Sequence, residues 1–206
     1  WRESPDVMTN HDLCYAKSRD GGITWQKTSG EIYRIPITTE SAEYAWRIPQ
    51  NSTLMNQTSM VADQNGHPYI ATYWGDEQST PQYQIVFYNG QHWQHSQVSK
   101  RQTAFSLSGK GSKKVPISRP QIAVDTTGQS AKAYLLFRDE ERGNKASVAV
   151  CTNLEQSDWH IEDLTSDSLG SWEPSYDTEL WQREQKLHLF VQQVGQGDGE
   201  TLEDLE

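Results

Sequence analysis

The chain has 206 residues, and 18 Lys and Arg against 28 Asp and Glu give a formal net charge of −10. That balance excludes the basic footprint of a nucleic-acid binder, and the lack of any run of about 18 or more apolar residues excludes a membrane-spanning helix. Only 34% of residues are hydrophobic, yet 8 Trp, 9 Tyr and 4 Phe argue against disorder and for a Gly-punctuated, ligand-facing all-β protein. Cys14 and Cys151 make no disulfide-rich scaffold.

The chain starts at Trp1 without a charged-then-apolar leader, so a signal peptide is expected to have been removed or never included. Residues 1–15 mix metal-capable side chains. His11 and Cys14 are candidates for part of a metal site, zinc by ligand type, with the remaining ligands drawn from elsewhere. The competing reading is a capped loop histidine and a buried cysteine. Ser18-Arg19-Asp20-Gly21-Gly22-Ile23-Thr24-Trp25 has the form S-x-D-x-G-x-T-W, an Asp box. In it the Asp and Thr side chains bond backbone groups across a tight Gly turn and the Trp packs beneath, so Asp20 is structural rather than catalytic.

Helical periodicity is nearly absent beyond this point, and hairpin signals replace it. Asn65-Gly66 separates Val61–Ala62 from Tyr69–Tyr73, and Asn89-Gly90 separates Ile85–Tyr88 from Trp93. Two hairpins in series predict a four-stranded antiparallel meander. A second copy runs through Ile122–Asp125, Ala133–Phe137, Ala146–Cys151 and Trp159–Ile161, and a third opens at Ser175 and continues into Leu187–Val191. Recurrence roughly every 50 to 60 residues, with four strands per unit, predicts a β-propeller. The expectation is one domain over residues 1–206 holding about three to four blades of a ring of about seven, with N-terminal blades and the closing strand missing.

The three copies also align in phase. Asn56-Gln57-Thr58, Ser118-Arg119-Pro120 and Trp172-Glu173-Pro174 each precede a first strand. Such positions line the central channel of a propeller, so Gln57, Arg119 and Glu173 are expected to face a shared space, as a site or as a hydrated channel. The run Arg138–Gly143 reads as a solvated, internally paired loop. Gly195–Glu200 reads as a flexible acidic loop with side chains that could hold Ca²⁺, with a spacing that fits neither a dinucleotide fingerprint nor an EF-hand. His67, His92 and His95 read as surface residues, and no nucleophile elbow is present.

Together, the Asp box at 18–25, the segments at 56–58 and 66–71, Ser118–Ile122, Arg138–Gly143, Trp172–Pro174 and Gln196–Glu200 resemble the BNR-repeat proteins often labelled neuraminidases. Within them the chain looks closest to the propeller-type ulvan lyases of marine bacteria. That resemblance implies β-elimination on a sulfated polysaccharide of rhamnose and uronic acid. A cation neutralises the uronate so that C5 can lose its proton, and His and Tyr groups move protons. By similarity the neutralising Arg falls at Arg2 and an assisting Tyr at Tyr44, with Arg47 and Tyr33 as near competitors. The proton-transferring His and a second Tyr are expected upstream of this chain. Asn56, Gln57, Arg119 and Glu173 become substrate contacts. The resemblance further implies an anionic polysaccharide partner, no nucleic acid or membrane, a monomer, and secretion or a periplasmic location. Any cofactor is a structural zinc or calcium ion rather than an organic group. Three alternatives stay open. An α-L-rhamnosidase-like hydrolase would need two carboxylates, Glu173 with Asp177 or Asp139. A sialidase would need an arginine clamp, for which Arg2, Arg119 and Arg138 are available. The fourth reading is a non-catalytic binding propeller.

Overall fold

The structure, a computed structural model, describes residues 1–56, 58–128 and 130–199. Two short strands, β1 (Leu13–Tyr15) and β2 (Glu43–Trp46), pair antiparallel. The next sheet holds β3 (Ser59–Ala62), β4 (Pro68–Gly75), β5 (Pro81–Tyr88) and β6 (Trp93–Gln97) in simple meander order. The third repeats that meander with β7 (Gln121–Asp125), β8 (Lys132–Phe137), β9 (Ser147–Cys151) and β10 (Trp159–Asp163). The protein is therefore all-β in its sheets, with two of the expected four-stranded units formed. No sheet closes on itself among the described residues.

The turn chemistry explains the first of these units. Gly66 and Gly90 take φ of +77° and +94°, conformations that cost glycine little. One Asp63 oxygen accepts from the Asn65 and His67 amides at 2.8 Å, and Asn89 Oδ1 accepts from the Gln91 and His92 amides at 3.0 Å. Period-two alternation then assigns the faces of β4 and β5. Tyr69, Ala71, Tyr73, Tyr83, Ile85 and Phe87 join one core with Ile122, Ala133, Leu135, Phe137 and Ala149 of the next sheet. Ile70, Trp74 and Val86 face the other way, onto Tyr15, Ala45, Ile48 and Leu54. The middle sheet is thus buried on both sides, which is why β4 and β5 read as near-continuous apolar runs. The leading strands of the two large sheets, β3 and β7, lie side by side, with the Ile122 amide donating to Ser59 Oγ at 3.2 Å.

The third copy departs from expectation. Instead of a hairpin, Thr178–Glu184 forms a short helix, α1. Asp177 caps it by accepting from the Leu180 amide at 2.9 Å, and no Asn-Gly turn competes. Trp181 is buried by this helix and meets Tyr134 edge-on at 5.3 Å. Residues 187–194 are tied by two isolated bridges, Tyr176 to Leu189 and Gly170 to Val194.

The Asp box forms as predicted in its polar part. Thr24 donates its amide and hydroxyl to Asp20 at 2.9 and 2.7 Å, and the Gly22 amide donates to Ser18 Oγ at 2.8 Å. Trp25 lies against Gly22 but keeps 37% of its surface exposed, so the packing beneath the turn is partial. The Thr24 bonds, then that of Ser18, hold the Asp20 carboxyl down at about 2 against a usual 3.8. This contribution to stability is therefore complete above about pH 4 and is lost as the pH falls through about 2. Thermal melts of wild type and Asp20→Ala should differ by a constant amount above pH 4 and converge on acidification. A gap that widens in acid would contradict the assignment.

Two other readings are corrected. Arg138 and Asp139 are buried, at 3% and 2% exposure, rather than part of a solvated loop. Asp139 accepts from Arg101 Nε at 2.8 Å across the two large sheets, and burial still pushes its carboxyl upward. His95 is half-buried between Trp46 and Trp74, ring centroids 5.0 and 5.3 Å away, and burial holds its pKa down.

Candidate functional site

The segments that lead into β3 and β7 converge with residue 173 at one end of the two strands. Asn56, Arg119 and Glu173 together border a cleft of about 410 Å³ and an adjoining depression of about 590 Å³. Arg2 lines the same cleft from the N-terminal segment. Chain positions far apart are therefore brought to one place, as the phase alignment of the repeats predicts for Arg119 and Glu173. Gln57 lies outside the described residues.

The electrostatics of this cleft oppose those of the whole chain. Arg2, Lys110, Lys113, Lys114, Arg119 and Arg138 line it, and Glu173 is the one carboxylate among the described lining residues. Glu173 Oε2 accepts from the Arg119 amide at 2.9 Å and from its Nε at 3.1 Å. Both side chains keep about a third of their surface in water (40% and 31%), so the pair is screened and contributes little to stability. Arg138 has a different role. Its guanidinium donates to the carbonyls of Trp172, Pro116 and Val115 and to Asn144 Oδ1, at 2.9–3.2 Å. None of these partners is a carboxylate, so a buried positive charge sits in the cleft wall, held by neutral oxygens. Arg2 is turned back on its own loop, donating to Ser4 O at 2.7 Å and to the carbonyl of Pro5.

The three lysines belong to Gly109-Lys110-Gly111-Ser112-Lys113-Lys114, between β6 and β7. Sequence reasoning passed over this loop, although three lysines within five positions of an acidic chain are a legible signal.

The remaining predicted site residues lie elsewhere. Tyr44, on β2 opposite Cys14, is not part of the cleft. Its hydroxyl donates to Thr39 O at 2.5 Å, and the Arg47 guanidinium lies 3.2 Å from its ring centroid. It stands there because register with β1 governs its position. His11 engages Glu3 and Asp12 with its two ring nitrogens, each at 2.9 Å, and these bonds, Glu3 first, push its pKa up. A ring with both nitrogens so engaged, and favoured in its cationic form, is a poor metal ligand. Cys14 is half-buried, and burial raises its thiol pKa, which disfavours the thiolate a metal needs. Among the described residues no group of three or more His, Cys, Asp or Glu could hold a metal ion. His11 and Cys14 as placed here do not fit a zinc site.

Residues 1–101, just under half of the chain, match a family model described as a BNR repeat-containing family member. That match spans β1–β6, Arg2 and Asn56, and stops short of the lysine loop, Arg119 and Glu173. No curated protein matches the chain.

Proposed function

We propose that this chain forms part of a β-propeller whose cleft binds an anionic polysaccharide, and that the protein is a lyase acting on a uronate-containing sulfated polymer such as ulvan. The observation that carries the reading is the cleft itself: among its described lining residues six cationic side chains stand against one carboxylate, in a chain of net charge −10. A concave wall of one sign focuses the field and gathers polyanions even against an opposing net charge. The propeller reading is supported by the two repeated meanders and by the adjacency of their leading strands, β3 and β7.

β-Elimination needs a cation beside the uronate carboxylate, because the C5 proton becomes removable only when the carbanion-like charge is stabilised. Arg119, with its Nε directed at a carboxylate already, has the geometry to receive one, and Arg2 and the lysines supply further charge for sulfate or neighbouring uronates. No Tyr or His lines the cleft among its described residues, so the base and acid of the reaction are assigned to groups beyond that lining. Because such a polymer is too large to enter a cell, the proposal includes action outside the cytoplasm.

The two-carboxylate hydrolase is disfavoured, since Asp139 is buried on Arg101 and Asp177 caps α1, so neither candidate is available to pair with Glu173. For the sialidase reading, Arg2, Arg119 and Arg138 all border the cleft, but Arg138 is engaged by oxygens of its own wall and Arg2 by its own loop, so this arrangement does not present a three-arginine clamp. Substrates separate the readings. With ulvan, ultraviolet absorbance from the new C4–C5 double bond should rise. A flat trace with rhamnose release would favour the hydrolase, and release of sialic acid from a sialoside would favour the clamp. Binding without any product would leave a binding propeller, and no binding at all would remove the cleft from consideration.

A further inference from the structure

The lysine loop is clipped at two points by acidic residues remote in sequence. On one side the Gly109 amide donates to Asp6 Oδ1 at 2.7 Å, 103 residues away, and the Val7 amide donates to Gly109 O at 3.0 Å. On the other the Lys114 amide donates to Asp198 Oδ1 at 2.8 Å, 84 residues away, and the Gly199 amide donates to Ser112 O at 3.1 Å. Between the clips, Gly109 and Gly111 take φ of +76° and +89°, and no heavy atom lies within 4 Å of where their Cβ atoms would be. The loop is thus neither packed into a core nor paired in a sheet. A segment of this composition, with three like charges repelling one another, orders itself poorly without external bonds.

We infer that Asp6 and Asp198 are positioning residues that hold the backbone of the lysine loop over the cleft, and so set its affinity for polyanionic ligands. The carboxylates bind loop amides rather than lysine ammonium groups, so Lys110 and Lys113 stay directed at the cleft. The amides of Met8 and Gly109 hold the Asp6 carboxyl below its usual pKa, so this clip persists in mild acid. Preorganisation of this kind raises affinity by removing the ordering cost from the binding step.

The inference rests on the cleft reading, and its test separates the two. The probe is a fluorescently labelled ulvan oligosaccharide, titrated at several salt concentrations against wild type, Asp6→Ala, Asp198→Ala and the two Asn variants. Each Ala variant should weaken binding by about tenfold and make its salt dependence shallower, because fewer ammonium groups are in register. Hydrogen exchange at the Gly109 and Lys114 amides should quicken in the same variants. The Asn variants keep an acceptor oxygen and should resemble wild type in all three readouts. Ala variants with unchanged affinity and salt slope would overturn the inference and leave the cleft intact. Asn variants that behave like Ala would also overturn it, assigning the effect to charge rather than position. A wild type that does not bind the probe would overturn both readings.

Discussion

Arg119→Ala should weaken binding of an anionic oligosaccharide by about 50-fold, equivalent to ~2.3 kcal/mol. Loss of one charge-assisted contact to the ligand contributes about 1.5 kcal/mol. The remaining ~0.8 kcal/mol comes from Glu173, which loses its bonds to the Arg119 side chain and then repels the incoming carboxylate or sulfate. The partial exposure of the pair keeps that second share modest. Glu173→Gln, which retains an oxygen facing the Arg119 amide, should therefore tighten binding about fourfold by removing the one negative charge among the described lining residues. Combining the two changes should leave a deficit of about tenfold, since the repulsive share is gone. Titrations of the four proteins at one ionic strength form the test. If Arg119→Ala binds like wild type, or Glu173→Gln binds worse, the ligand does not meet this pair and the cleft loses its central residue.

Gly170→Ala should lower the melting temperature by about 10 °C, the largest stability loss expected from a single methyl group here. Gly170 sits at φ +62°, and a Cβ there would lie 2.2 Å from the carbonyl oxygen of Val194. Left-handed backbone costs a non-Gly residue about 1–2 kcal/mol. The clash then displaces Val194, which accepts from the Ser171 amide at 2.7 Å and donates to Leu169 O at 3.0 Å. Losing those two bonds adds ~1 kcal/mol each, for a total near 3–4 kcal/mol. Leu169, Trp172 and Val194 share a small core directly behind Ser171 and Glu173, so ligand affinity should fall together with stability. Gly30→Ala is the control: its φ is +88° but nothing lies within 4 Å, so only the backbone cost applies. Equal losses for the two variants would mean that the close approach of residues 170 and 194 is not what makes Gly170 necessary.

What the amino-acid order determined by itself is local. Asn-Gly turns between alternating apolar residues specify the hairpins at 61–73 and 85–97, because both the turn and the facial alternation are set within a few residues. The polar bonds of the Asp box close within seven positions of chain, so they too were legible. Repetition of the meander carried the reading one level further. Residues in equivalent phase should occupy equivalent places, and Arg119 and Glu173 do meet, whereas their counterpart Gln57 lies outside the described residues. Where the repeat faltered, so did the inference. In the third copy a capping Asp and a Trp with a partner on β8 made helix where strand was expected.

Other outcomes were decided only by the tertiary structure. Tyr44 was assigned to a reacting centre, but its pairing with β1 carries it away from the cleft. Arg138 and Asp139 look like surface charges in sequence, yet three backbone carbonyls, the Asn144 side chain and Arg101 together bury them. The lysine loop lacks any local signal for its position, because the bonds that place it come from residues 103 and 84 positions away. Hydrogen bonds of that range depend on how sheets stack and where irregular chain crosses them, and no pattern within a few residues encodes it. The hairpins follow from neighbours in sequence. The basic cleft exists because distant cations are gathered at one end of β3 and β7, a property of packing alone.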